Sequence, residues 1–115
     1  MCHVLIIEDD ALAALDIRHT LEAAGATSFS FAASEREALE EARSRRPAVI
    51  TSDVMLGDSS GVAAVRSIAA ELGPVPIIFI TGTPDHCDGC PARAVIEKPF
   101  DAGILASVFR DCAPL

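Results

Sequence analysis

Five polar residues stand where runs of apolar residues stop: Glu8 and Asp9, Asp53, Thr81 and Lys98. Each has an ordinary explanation on its own. Acids such as Asp9 and Asp10 suit the positive end of a following helix, Asp53 reads as a loop aspartate, Thr81 as a strand-end hydroxyl and Lys98 as a solvated cation. Together they compose a site for phosphoryl transfer. Three carboxylates from two strand ends can hold a hard divalent cation, for which Mg²⁺ is the natural ion, and still leave positions for water and phosphate oxygens. A carboxylate nucleophile attacks a phosphoryl donor directly, so the chemistry asks for positioning and charge neutralisation more than for a strong base. Thr81 can donate a hydrogen bond to one phosphoryl oxygen and Lys98 can pair with another. Lysine suits that task as a compact point charge, and Lys98 is the one lysine in a chain that otherwise uses eight arginines.

The elements that must carry these residues follow from pattern. Val4 to Ile7 is a short continuous apolar run, which fits a strand buried on both faces and ending at Glu8. Ala11 to about Ala24, with Ile17 and Leu21 four apart, predicts an amphipathic helix stopped by Gly25. Thr27 to Ala32 predicts a second strand. Ser34 and Glu37 form a capping box ahead of Ala38, Leu39 and Ala42, a second helix that must end before Pro47. Ala48 to Ser52 predicts a third strand leading to Asp53, and Gly57 to Gly61 is turn chemistry that places a loop after it. Val62, Val65, Ile68 and Leu72 recur at helical spacing, Pro76 to Thr81 predicts a fourth strand, and Ala94 to Glu97 a fifth. Asp101 caps a last helix with Leu105, Val108, Phe109 and Cys112 on its core side. Strands alternating with helices call for a parallel sheet covered on both faces, with function at the carboxyl ends of the strands.

A chain of 115 residues, half of them apolar, can bury one core but not two of ordinary size, so a single domain over residues 1–115 is expected. A net charge of −8 and a pI near 4.6 speak against direct nucleic-acid binding. The apolar runs are far shorter than the roughly 20 residues needed to cross a bilayer, and no signal-peptide core precedes Glu8, which predicts a cytoplasmic protein without membrane insertion. Four cysteines, Cys2, Cys87, Cys90 and Cys112, are irregularly spaced. Cys87 and Cys90 beside His86 have ligand types and spacing compatible with zinc or a redox disulfide, but no fourth ligand is evident; free thiols rank ahead of a disulfide, and a disulfide ahead of a metal.

Four ordered motifs resemble the receiver domains of two-component response regulators across essentially the whole chain: Leu5-Ile6-Ile7-Glu8-Asp9-Asp10, Ile50-Thr51-Ser52-Asp53 with Gly61 eight residues on, Ile78-Phe79-Ile80-Thr81-Gly82, and Glu97-Lys98-Pro99-Phe100. The resemblance implies a flavodoxin-like (CheY-like) doubly wound five-stranded parallel sheet of order 2-1-3-4-5. It implies Asp53 as phosphoacceptor, Glu8 and Asp9 as the acidic pair for Mg²⁺, Met55 as a metal ligand through its backbone carbonyl, Thr81 as a switch hydroxyl and Lys98 as the phosphate-pairing cation. The Lys98-Pro99 bond would be cis. The donor would be a phosphohistidine on a sensor histidine kinase or a histidine phosphotransfer protein. With residues 1–115 all receiver and no output domain, the chain would be a stand-alone phosphoprotein rather than an enzyme. It would signal through a downstream protein or serve as a relay or phosphate sink, and its F-x-T-G strand end is similar to that of a subgroup of single-domain receivers.

Three departures from the family pattern stand out. Gly57 replaces the usual proline four residues after the acceptor, which predicts a more mobile loop. Val95 replaces the usual aromatic switch residue. Only sixteen residues separate Thr81 from Lys98, with Pro84, Gly89 and Pro91 among them, which predicts a shortened or missing helix before the fifth strand. Competing readings are an Asp-nucleophile, Mg-dependent phosphohydrolase, a receiver-like binding module that never takes phosphate, and thiol redox chemistry at Cys87 and Cys90. The hydrolases place a second acid two residues beyond the nucleophile, where Met55 stands here, and the intact acids, Thr81 and Lys98 speak against the second and third.

Overall fold

The computed structural model describes residues 2–84 and 92–115. The helix expected to be shortened or missing, and the His86, Cys87 and Cys90 cluster, fall on residues 85–91 and lie outside the described residues.

Residues His3–Ile7 form β1, and all five side chains are buried because each face of the strand meets its own core. Val4 and Ile6 join one apolar cluster and Leu5 and Ile7 the other, so a continuous apolar run is what a two-faced strand demands. The chain continues through α1 (Ala11–Ala23), β2 (Ser28–Ala32), α2 (Glu35–Ser44) and β3 (Val49–Ser52). A two-stranded hairpin, β4 (Met55–Leu56) and β5 (Ser59–Ser60), precedes α3 (Gly61–Leu72), β6 (Ile77–Thr81), β7 (Ala94–Glu97) and α4 (Ala102–Cys112). The main sheet is parallel, in the order β2-β1-β3-β6-β7. With the hairpin strands set aside this is the expected 2-1-3-4-5 order. Ile17 and Leu21 of α1 and Leu105 and Phe109 of α4 fill one face of the sheet; Ala38 and Ala42 of α2 and Ala64, Val65 and Ile68 of α3 fill the other. The connections through α1, α2 and α3 are thus crossovers of the doubly wound kind.

Caps set the helix starts. Asp10 accepts from the Leu12 and Ala13 amides, Ser34 from Glu37, Ser60 from Ala63 and Asp101 from Ile104. The capping box differs in one bond. The Glu37 carboxylate takes the N–H of Ala33 at 2.8 Å, one residue ahead of the cap, so it braces the entry into the helix. Thr27, expected inside β2, instead ties the strand start to its neighbour: its hydroxyl receives the Cys2 N–H at 2.9 Å and lies 3.1 Å from the Cys2 carbonyl.

The segment after Asp53, expected as a loop, closes as the hairpin β4–β5, with Met55 opposite Ser60 and Leu56 opposite Ser59. Gly57 makes this turn. Its φ of 57° lies in the left-handed region, and Asp58 beside it does not, the pattern of a tight two-residue turn led by glycine.

The Thr51 hydroxyl, on β3 between Ile6 and Ile78, is buried and finds no hydrogen-bond partner among the described residues. Replacing it with the isosteric Val is expected to raise stability by about 1 kcal/mol, because a desolvated, unpaired hydroxyl is removed at constant shape. Urea titration of the Thr51→Val variant measures this, and a loss of stability would contradict it.

His3 is buried on β1 with its Nδ1 2.8 Å from Ser28 Oγ and its Nε2 2.8 Å from Ser30 Oγ. A neutral imidazole satisfies both hydroxyls by donating to one and accepting from the other. Burial, with the Arg45 charge adding to it, holds the His3 pKa below its ordinary value. The unfolded chain therefore binds the proton more readily. Stability from this residue is complete above about pH 6.5 and declines as the pH falls from there towards the folded-state pKa. Denaturant unfolding at about pH 7.5 and pH 5.5 should show a smaller pH-dependent loss in His3→Gln than in the unsubstituted chain.

Candidate functional site

The carboxyl ends of β1, β3, β6 and β7 open on one mouth, and backbone hydrogen bonds fix each strand end. The Asp53 N–H donates to Ile7 O at 2.9 Å, Glu8 N–H to Ala32 O at 2.9 Å and Lys98 N–H to Thr81 O at 2.8 Å. Glu8, Asp9 and Asp53 bring one carboxylate oxygen each to within 4.8 Å of one another. Lys98 Nζ spans two of them, 2.5 Å from Glu8 Oε1 and 3.0 Å from Asp53 Oδ2. Four of the residues expected at the site are therefore in one place. The Lys98-Pro99 peptide bond is cis.

The four groups differ in exposure, and the difference assigns their physical roles. The Glu8 side chain is 1% exposed and that of Asp53 13%, whereas Asp9 is exposed at the rim. Burial pushes the Glu8 carboxyl above its ordinary range; Lys98 and the Asp10 N–H, which donates to Glu8 Oε2 at 3.2 Å, pull the other way. Burial also works against the charge on Lys98, but its hydrogen bonds to Glu8 and Asp53 outweigh that and hold its pKa above the usual lysine value. Lys98 is thus a fixed positive charge. Three carboxylates around one ammonium leave an excess of negative charge and an all-oxygen donor set, which fits a hard divalent cation such as Mg²⁺. Met55 is near: its N–H donates to Asp53 Oδ1 at 3.3 Å, and its side chain is half exposed.

Thr81 closes β6 and is fully buried. Its hydroxyl faces its own turn, accepting the Thr83 N–H at 3.0 Å and lying 3.1 Å from the Thr83 hydroxyl. Sequence reasoning placed Thr81 correctly at the strand end and missed Thr83. The signal was present, since a serine or threonine hydroxyl readily takes an N–H two residues on.

Gly61, eight residues after Asp53, stands at a close approach of backbones. A methyl group in place of its hydrogen would lie 1.7 Å from the Asp53 carbonyl oxygen and 2.5 Å from Ser52 Oγ. The absence of a side chain there lets the start of α3 seat directly against the backbone that presents Asp53. Val95, which stands in the expected aromatic position, is 41% exposed on the edge strand β7.

Fold and mouth together define a doubly wound α/β domain with an acidic, lysine-bridged site at its strand ends. A family profile for the response regulator receiver domain matches residues 4–110, and the chain belongs to that family. The phyllosphere-induced regulator PhyR of Methylorubrum extorquens is 36% identical over 110 residues, which are 91% of this chain and 41% of that protein. The KDP operon transcriptional regulatory protein KdpE of Escherichia coli is 30% identical over 115 residues, 96% of this chain and 50% of that one. The chain thus spans half or less of the length of these curated relatives. Among solved structures, the receiver domain of Erythrobacter litoralis PhyR superposes with a TM-score of 0.88 at 28% identity, covering 96% of this chain and 88% of that one. Vibrio cholerae chemotaxis protein CheY4 superposes at 0.84 with 27% identity, covering 97% and 98%. Phosphoacceptor signalling in a two-component system fits this family and this mouth.

Proposed function

We propose that Asp53 is the phosphoacceptor of this receiver domain and that its donor is a phosphohistidine on a sensor histidine kinase or a histidine phosphotransfer protein. The observation that carries this reading is Lys98 Nζ bridging Glu8 and Asp53 beside a third carboxylate. An Asp53 carboxylate oxygen attacks phosphorus, the phosphorus–nitrogen bond to the donor imidazole breaks, and the imidazole leaves with its electron pair and takes up a proton. The product is a mixed anhydride on Asp53. Lys98, held charged, keeps the Asp53 side chain oriented and pairs with a phosphoryl oxygen as negative charge accumulates. Mg²⁺ would be held by Glu8, Asp9, Asp53 and the Met55 carbonyl, and when bound it would neutralise charge on the transferring oxygens.

The consequence of transfer is a changed surface for a downstream protein, or phosphate handed onward in a relay, rather than a released product. Such a role suits the cytoplasm; among the described residues no helix is long and apolar enough to cross a membrane. Incubation with Mg²⁺ and a small phosphodonor is expected to add one acid-stable, base-labile phosphoryl group by intact-mass measurement. Sustained turnover of a small phosphoester would instead favour a phosphohydrolase.

A further inference from the structure

The Thr81 hydroxyl already has a partner. As the switch hydroxyl that the family resemblance implies, it would donate to an oxygen of a phosphoryl group on Asp53, yet here it is turned towards its own turn. The Thr83 N–H at 3.0 Å occupies one of its lone pairs, and the Thr83 hydroxyl at 3.1 Å completes a closed pair. Because Thr81 is fully buried at the end of β6, its hydroxyl has no ready exchange with bulk water and its orientation is set by protein partners. Thr83 is exposed, so its own hydroxyl can turn to solvent when the pair opens.

We propose that Thr83 is a positioning residue: its hydroxyl holds the Thr81 hydroxyl in the resting orientation and so sets how much of the phosphoryl group's attraction is spent in turning it. This inference rests on the acceptor reading. A phosphoryl oxygen is the stronger acceptor, since a hydrogen bond to an ionised group is roughly twice as strong as a neutral one, and therefore the pair opens on phosphorylation. The attraction is nevertheless reduced by the strength of the pair given up. Removing the Thr83 hydroxyl leaves, among the described residues, the Thr83 backbone N–H on Thr81, and the switched orientation becomes easier to reach by about one neutral hydrogen bond, a factor of about five. The effect is opposite in sign to that of ordinary damage near a binding site, which weakens binding.

The test titrates the full chain with beryllium trifluoride, a tetrahedral phosphoryl mimic, at saturating Mg²⁺ by calorimetry; the chain contains no Trp or Tyr to report by fluorescence. Thr83→Ala and Thr83→Val are expected to bind the mimic about fivefold more tightly than the unsubstituted chain. Thr83→Ser, which keeps the hydroxyl, should restore the original affinity. Affinity for Mg²⁺ alone should not change, and in a Thr81→Ala background Thr83→Ala should have no effect. Unchanged or weakened mimic binding by folded Thr83→Ala and Thr83→Val overturns the proposal, as does the same gain in the Thr81→Ala background. Failure of the unsubstituted chain to bind the mimic overturns the acceptor reading, and this inference with it; normal binding without a gain in the variants overturns this inference alone.

Discussion

Asp53→Asn is expected to abolish uptake of a phosphoryl group from a phosphohistidine donor and from small phosphodonors alike, a loss of at least about a thousandfold in rate, while the fold stays intact. The asymmetry between chemistry and stability follows from the geometry. An amide is nearly the same shape as a carboxylate and still offers one oxygen to Lys98 Nζ, now 3.0 Å from Asp53 Oδ2. What it lacks is the anionic oxygen that forms the new bond to phosphorus. Glu8, Asp9 and Asp53 also crowd three acids around one ammonium, so neutralising one of them relieves repulsion. The variant should therefore melt at or above the temperature of the unsubstituted chain. Intact-mass measurement after incubation with donor and Mg²⁺ checks the chemistry, and a thermal melt checks the fold. An adduct of undiminished stoichiometry in Asp53→Asn would move the acceptor to another residue.

Gly61→Ala is expected to destabilise the domain by at least about 3 kcal/mol, a large share of the roughly 5–15 kcal/mol that holds a domain of this kind together. The added methyl would sit 1.7 Å from the Asp53 carbonyl oxygen and 2.9 Å from the Asp53 carbonyl carbon. Both are backbone atoms, so no side-chain rotation can relieve the clash. Either α3 lifts from the sheet or the segment carrying Asp53 shifts. The first outcome uncovers Ala64, Val65 and Ile68, which α3 buries against the sheet. The second displaces Asp53 from Lys98. Gly82→Ala supplies the control, since among the described residues a methyl there meets nothing within 4 Å, and it should leave stability within about 0.5 kcal/mol. Chemical denaturation of the two variants side by side measures the contrast, and equal stabilities would show that the approach at Gly61 is not a constraint.

Much of the fold was legible because the signals that specify it are local. The Val4 to Ile7 run could be read as a strand buried on both faces, and Val4 and Leu5 do face opposite cores. Asp10, Ser34 and Asp101 announce helix starts through short-range hydrogen bonds. Pattern also placed Glu8, Asp9, Asp53 and Lys98 at strand ends, and the parallel topology then brings them together. Other features depend on where a side chain turns once it is buried, which periodicity does not encode. Examples are the pairing of Thr81 with Thr83 and the seating of His3 between Ser28 and Ser30. The burial of Glu8 to 1% exposure beneath Lys98 is a third: from sequence, Glu8 and Asp9 were an acidic pair, while in space one is a buried anchor and the other a rim residue. Gly57 carries a second signal besides mobility. At a φ of 57° it supplies the left-handed residue of the hairpin turn.

The lysine bridge also has a mechanical meaning. β7 is a four-residue edge strand, paired on one side only, to β6. Lys98, the residue that follows it, reaches past the end of β6 to groups anchored on β3 and β1, so the outermost strand is leashed to the middle of the sheet by a charge rather than by the ladder alone. One end of that leash is Asp53 itself. If Asp53 takes a phosphoryl group as proposed, chemistry at the centre of the domain would change the firmness with which its border is held.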